Sequence, residues 1–249
     1  MNKISVITIC YNCKDVIEKT IKSVIGQTYH NLEYIIVDGA SNDGTTEIID
    51  QYKDYIFKII CEPDNGIYDA INKGVKAATG DWICCMNAGD IFFNNKVLEN
   101  TFQLNIAEDK LFLYSDYWSK TKDGDMVHQH TNRSKGNILH QSSIYKKQLH
   151  NSYGYYVVTK PYTVSDLLFF LSIPEIYFLK IPYDISINDC GGVSQEGSWC
   201  KEKALALRVV FNKETINSAF FKYWKWRVHS AIPYSWRRWF RKNILMKFK

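Results

Sequence analysis

The chain has 249 residues, of which 46% are hydrophobic, 23% charged and 15% aromatic, enough to bury a full core. Its net charge of +5 is unevenly placed: residues 201–249 carry 13 Lys and Arg against two Glu, whereas residues 1–200 carry 18 basic and 24 acidic side chains. Seven cysteines without framework spacing argue against a secreted disulfide scaffold. No uninterrupted apolar run approaches the roughly 20 residues of a membrane-spanning helix. MNKISVITICYN is short, β-rich and lacks the cleavage pattern of a signal peptide. The expected location is cytoplasmic, or peripheral on the inner face of a membrane.

Ile4 to Ile9 is a β-branched run of the kind buried in a parallel sheet. Lys14 to Ile25 follows with apolar residues at helical spacing and ends near Gly26. Glu33 to Val37 is the next strand, and DGASNDGT after it is a polar turn leading to a helix over Thr45 to Tyr52, capped by Asp43 or Thr45. Phe57 to Cys61, a helix over Ile67 to Ala78, and a strand over Trp82 to Met86 continue the alternation. That rhythm means βαβ units, hence an α/β fold with a mostly parallel sheet and flanking helices. Beyond residue 110 the pattern loosens. Strand-like pieces fall at Leu111 to Tyr117 and Ile138 to Lys146, a helix at Val164 to Ser172 behind Thr163 or Ser165, and a turn at Cys190 to Val193.

In such a sheet, ligands bind beyond the carboxyl ends of the strands, so loops distant in sequence converge there. Three of these loops carry Tyr11 and Asn12, Asp38 and Asp43, and Asn87 and Asp90. Tyr11 and Asp38 are the residue types that would hold a uridine-type base, although DGASNDGT reads equally as a plain polar turn. Asp90 follows a small pair, Ala88-Gly89, and is placed to hold a hard cation against a diphosphate; the competing role is a turn cap. Asp166, at a helix start between apolar residues, suits either a general base or a charge complementing the helix dipole, and its position alone favours the latter. Cys10 and Cys13 form a CxxC without a second pair and read as structural.

SVITICYN, VDGASNDGT, DNGIYDAINKG and MNAGD together closely resemble the inverting GT-A glycosyltransferases of family two, continuously over residues 3 to about 100. HQSSIYKKQLHNSYGYY and VSDLLFF are similar to that family's acceptor side. The resemblance implies a GT-A fold with a nucleotide-sugar half over residues 1–110 and an acceptor half over 111–200. It implies nucleotide contacts from Ile9, Tyr11, Asp38, Asp64 and Asn87, and a Mn²⁺ or Mg²⁺ site at Asp90. It also implies acceptor-side roles for His140 and Gln141, and makes Asp166 the catalytic base, reversing the reading from position alone. Tyr114 to Asp116 could line the sugar site. The chain departs from the family in having Gly39 where a second Asp is common, and Asn87 and Gly89 in place of acids. The implied reaction is inverting hexosyl transfer, with UDP-glucose or UDP-galactose as donor. The implied acceptor is a saccharide linked to undecaprenyl diphosphate, in O-antigen or capsule synthesis.

Residues 201–249 are expected to form basic amphipathic helices. Between Ser218 and Lys249 lie nine basic residues, ten aromatics and no acid. Trp236, Trp239 and Phe240 fall on one helical side and Arg237, Arg238 and Arg241 on the other. That separation suits an anionic membrane face better than nucleic acid, which is not an expected partner. Packing of the apolar side on the body is a third reading. A nucleotidyltransferase would need a Gly-rich basic loop after the first strand, which CYNCKD does not supply. A dinucleotide-dependent dehydrogenase would need GxGxxG there. A membrane-associated nucleotide-sugar-binding module with weak catalysis stays open beside the enzyme.

Overall fold

The computed structural model describes residues 2–121, 123–158, 163–189, 198–233 and 236. Strand β1 (Ile4–Cys10) is buried along its whole length, as a β-branched run without polar alternation requires. It is followed by α1 (Lys14–Ile25), β2 (Leu32–Asp38), α2 (Thr45–Asp50), β3 (Lys58–Cys61), α3 (Ile67–Ala77) and β4 (Trp82–Cys85). These are the expected elements, with boundaries shifted by a residue or so except for α2, which stops at Asp50 and gives way to a 3-10 turn at Lys53–Tyr55. Gly44, not Asp43 or Thr45, stands at the N-cap of α2. Asp43 instead ties two loops together, accepting from the Lys14 and Thr45 amides at 3.1 and 3.0 Å.

The chain continues through β5 (Ile91–Phe92), α4 (Val97–Gln103), β6 (Phe112–Tyr114), β7 (Tyr117–Lys120) and β8 (Met126–Gln129). Then come β9 (Ser143–Lys146), α5 (Leu149–Tyr153), α6 (Ser165–Ser172), β10 (Phe178–Lys180), β11 (Ser186–Asn188), α7 (Ser198–Val210) and α8 (Ile216–Ala231). The main sheet runs β10-β6-β9-β4-β1-β2-β3. All its neighbours are parallel except β9, which is antiparallel to both β4 and β6. A smaller sheet, β5-β11-β7-β8, lies beyond β4 and begins just after Asp90.

Alternate residues of β1 and β2 divide the core between two faces. Ile4, Val6, Tyr34 and Ile36 pack with Ile17, Ile21 and Val24 of α1, and Ile7, Ile35 and Val37 pack with Ile71 and Val75 of α3. Two expectations change. Leu111 to Tyr117 is not one strand: Ser115 and Asp116 are drawn out of line, because Asp116 Oδ1 takes Lys180 at 2.6 Å and the Thr131 amide at 2.7 Å. Ile138 to Lys146 carries a 3-10 turn, His140–Ser142, before β9 begins. The turn expected at Cys190 to Val193 lies outside the described residues.

Candidate active site

The carboxyl ends of β1, β2 and β3 are in register, with Cys10 opposite Asp38 and Asp38 opposite Cys61. Both flanking thiols reach the Asp38 carboxylate at 3.4 Å, and Ser41 donates to it through its amide and its hydroxyl. Asp38 is fully buried, with both oxygens engaged, so the carboxylate expected beside the base is a loop anchor in this structure. Asp64, in the β3–α3 loop, is only half-buried. Its Oδ1 accepts from the Gly66 amide at 2.7 Å, and a Cβ on Gly39 would lie 2.6 Å from its Oδ2 and 3.2 Å from Tyr11 Cδ2. Gly39 therefore allows the Tyr11 ring, 63% of whose residue surface is exposed, to approach an acidic oxygen. Ile9 is a buried β1 residue whose carbonyl accepts from the Ala88 amide at 3.1 Å.

The loop after β4 turns through Gly89 at φ +99°, a left-handed conformation that favours glycine. Thr20 of α1 holds it from beneath, accepting from the Gly89 amide at 2.9 Å and donating to the Asp90 carbonyl at 2.8 Å. Asp90 is buried; its Oδ1 accepts from the Asp189 amide and its Oδ2 from the Gln141 side-chain amide, both at 2.9 Å. Burial pushes its pKa up to about 6. Asn87 Oδ1 and Gln141 Oε1, in the same patch, are buried oxygens without a hydrogen-bond partner. One carboxylate and two amide oxygens are a hard donor set that fits Mg²⁺ or Mn²⁺ completed by substrate oxygens. Among the described residues, no three His, Cys, Asp or Glu gather as a metal cluster.

His140 joins this patch to Asp166. Its Nε2 lies 3.0 Å from Asn87 Nδ2 and its Nδ1 3.2 Å from Asp166 Oδ2. With the Asn87 amide donating to Nε2, the ring proton sits on Nδ1 and points at Asp166. Tyr68 of α3 donates its hydroxyl to Asp166 Oδ1 at 2.9 Å. Burial alone would raise the Asp166 pKa, but the hydrogen bonds from His140 and the Tyr68 hydroxyl hold it below the ordinary carboxylate value. Val164, not Thr163 or Ser165, occupies the N-cap of α6, without a side-chain capping bond. Asp166 Oδ1 does accept from the Leu167 amide at 2.9 Å, so the carboxylate combines a local helix-end bond with long-range anchors.

Asn87, Asp90, His140, Gln141 and Asp166 thus share one hydrogen-bonded patch, while Tyr11, Gly39 and Asp64 form a second group over the β1–β3 edge. Sequence reasoning did not assign roles to Thr20, Tyr68 or Asp189. Trp236 is exposed. Arg237, Arg238, Trp239, Phe240 and Arg241 lie outside the described residues.

The mostly parallel sheet with flanking helices is shared with solved structures of low sequence identity. S. aureus TarS 1-349 in complex with UDP-GlcNAc superimposes with a TM-score of 0.67 at 17% identity, covering 83% of this chain and 66% of that one. The mannosyltransferase PcManGT from Pyrobaculum calidifontis, in complex with GDP-Man and Mn²⁺, gives 0.66 at 15% identity, covering 86% and 65%. The fold is that of the GT-A glycosyltransferases. Residues 5–164 match the model of glycosyl transferase family 2, and the chain belongs to that family. Escherichia coli WfaP, a UDP-Glc:alpha-D-GlcNAc-diphosphoundecaprenol beta-1,3-glucosyltransferase, is 37% identical over 121 residues, 47% of each chain. The putative teichuronic acid biosynthesis glycosyltransferase TuaG of Bacillus subtilis (strain 168) is 33% identical over 124 residues, 49% of each. The matched segments thus span about half the length of these relatives.

Proposed function

We propose that the protein transfers a hexose with inversion from UDP-glucose or UDP-galactose to a saccharide carried on undecaprenyl diphosphate. The setting is O-antigen or capsule assembly at the inner face of an anionic membrane. The observation that carries the reading is the Asn87–His140–Asp166 chain, which ties a shielded carboxylate to the loop ending in Asp90. The activity of WfaP supports the choice of donor and lipid carrier. The basic, aromatic tail supports the membrane setting.

Asp166 accepts the proton of an acceptor hydroxyl as that oxygen attacks the anomeric carbon from the face opposite the leaving group. The bond from that carbon to the diphosphate breaks, and the nucleoside diphosphate departs with the bonding electrons. An α-linked donor therefore yields a β-glycoside. The Tyr11 ring offers a face to the uracil, and Asp64 Oδ2 can accept its imide N–H beside Gly39. Asp90, with the side-chain oxygens of Asn87 and Gln141, would hold Mg²⁺ or Mn²⁺, whose charge offsets that of the departing diphosphate.

Transfer from a panel of UDP-sugars to lipid-diphosphate saccharides, with and without Mn²⁺, tests the reading. Asp166→Asn should cut transfer by about 10²- to 10⁴-fold while donor binding survives. Asp90→Ala should abolish the part of donor affinity that depends on the cation. Near-normal transfer by folded Asp166→Asn rejects the base. Donor binding without transfer by the wild-type protein favours a sugar-nucleotide-binding module.

A further inference from the structure

Helix α8 is amphipathic in an unusual sense: its apolar stripe faces outward. Ile216, Phe220, Phe221, Trp224 and Val228 are 73, 63, 70, 51 and 60% exposed. At 100° per residue they fall within an arc of about 140°. Ala219, on the other side, is buried, and Tyr223 donates to Glu202 of α7 at 2.9 Å, so the side that packs on the body is already defined. Lys225 borders the arc, Arg227 falls within it, and Lys222 lies on the opposite side of the helix. Lys222 pairs with Glu214, the last acidic residue of the chain. Contiguous apolar surface of this extent marks an interaction site.

Charge selects among the occupants. A second copy of α8 docked on the stripe would bring Lys225 and Arg227 of both copies into one interface, with no acid on either helix. Residues 234–249, folded back onto the stripe, would add six further cations and no acid. A single-stranded nucleic acid would use stacking platforms, which Ile216 and Val228 are not. An anionic bilayer offers both an apolar layer for the stripe and negative headgroups for Lys225 beside it and Arg227 within it. We propose that α8 lies flat on an anionic membrane, with Ile216, Phe220, Phe221, Trp224 and Val228 inserted at the headgroup boundary. This deepens the lipid-linked-acceptor reading and rests on it for biological sense, but the surface itself is defined by α8 alone. The helix is about 24 Å long, at 1.5 Å per residue, so its stripe can anchor the acceptor half without any segment crossing the bilayer.

Flotation of the full chain with phosphatidylcholine/phosphatidylglycerol vesicles, against phosphatidylcholine alone, reads the surface directly. The wild type should bind the mixed vesicles, and bind them less in high salt. The pair Phe220→Asp and Trp224→Asp should lower partitioning about tenfold or more. Lys225→Glu, at an exposed position, should lower it about fivefold and serves if the pair disturbs folding. Equal binding to both vesicle types, or undiminished binding by these variants, overturns the proposal. So does a change confined to oligomeric state or to RNA binding. Transfer to a water-soluble acceptor glycoside should be unaffected by either variant. Vesicle binding without transfer to any acceptor would sink the enzyme reading and leave the surface standing.

Discussion

The two sides of the site are built differently. The side proposed for the donor is assembled from loops that leave adjacent strands, so β-sheet register alone brings Cys10, Asp38 and Cys61 together. The side proposed for the acceptor is assembled across the chain: Asp166 is held by Tyr68, 98 residues away, and by His140, 26 away. A donor-side lesion should thus act on nucleotide affinity, and an acceptor-side lesion on turnover. Each experiment below is chosen to separate these two quantities.

After Asp166 itself, the largest effect is expected at His140, where both sides meet. His140→Leu removes the Nδ1–H bond that orients Asp166 and, with it, the tie to Asn87. Transfer should fall about 10²-fold in kcat, while donor affinity by calorimetry changes little. His140→Gln keeps an N–H donor and should recover part of the loss. A drop confined to donor affinity would place His140 on the other side of the comparison.

Gly39 probes the donor side alone. Gly39→Ala puts a methyl group 2.6 Å from Asp64 Oδ2, so the carboxylate must swing away from the Tyr11 ring. UDP affinity should weaken about tenfold, in line with loss of a charged hydrogen bond. In Asp64→Ala the same Gly39→Ala change should cost much less, because the two substitutions act through one carboxylate. Additive losses would show that Asp64 is a bystander and return attention to Asp38.

The contrast also explains what was legible beforehand. β1, β2 and β4 were readable because they are buried on both faces and leave no polar alternation. Asp90 was readable as an acid stranded after an apolar run. The base role proposed for Asp166 rests on family resemblance, since its local sequence describes a helix start and says nothing of Tyr68 or His140. Tyr68 and Thr20 were hidden for a related reason: both lie on buried helix faces, where they read as core. The burial of Asp38 could not be seen in DGASNDGT, because two of its donors, Cys10 and Cys61, arrive from neighbouring strands. β7, β8 and β11 are three or four residues long, too short to show a period.

The smallest effect on transfer, and a control for the others, lies at the opposite end of the sheet. Glu33, at the start of β2, is buried and accepts from Lys3 at 2.6 Å, Ser5 Oγ at 2.5 Å and the Thr79 amide at 2.5 Å. It clasps β1, β2 and the α3–β4 loop at the edge remote from the ligand loops. Although burial alone would raise its pKa, Lys3, Ser5 and Thr79 bring it down to about 2, from an ordinary 4.5. A depressed pKa means that the ionised clasp stabilises the fold above the ordinary value and loses that contribution as pH falls through about 2. Glu33→Gln should cost about 1–2 kcal/mol at neutral pH, after allowance for solvent around Lys3. Urea unfolding should show the gap between the two proteins closing as the pH approaches 2. Below the transition, kcat and donor affinity should match the wild type. A Glu33→Gln protein of normal stability but impaired transfer would mean that the two ends of the sheet are coupled, and the separation of donor-side and acceptor-side effects would have to be abandoned.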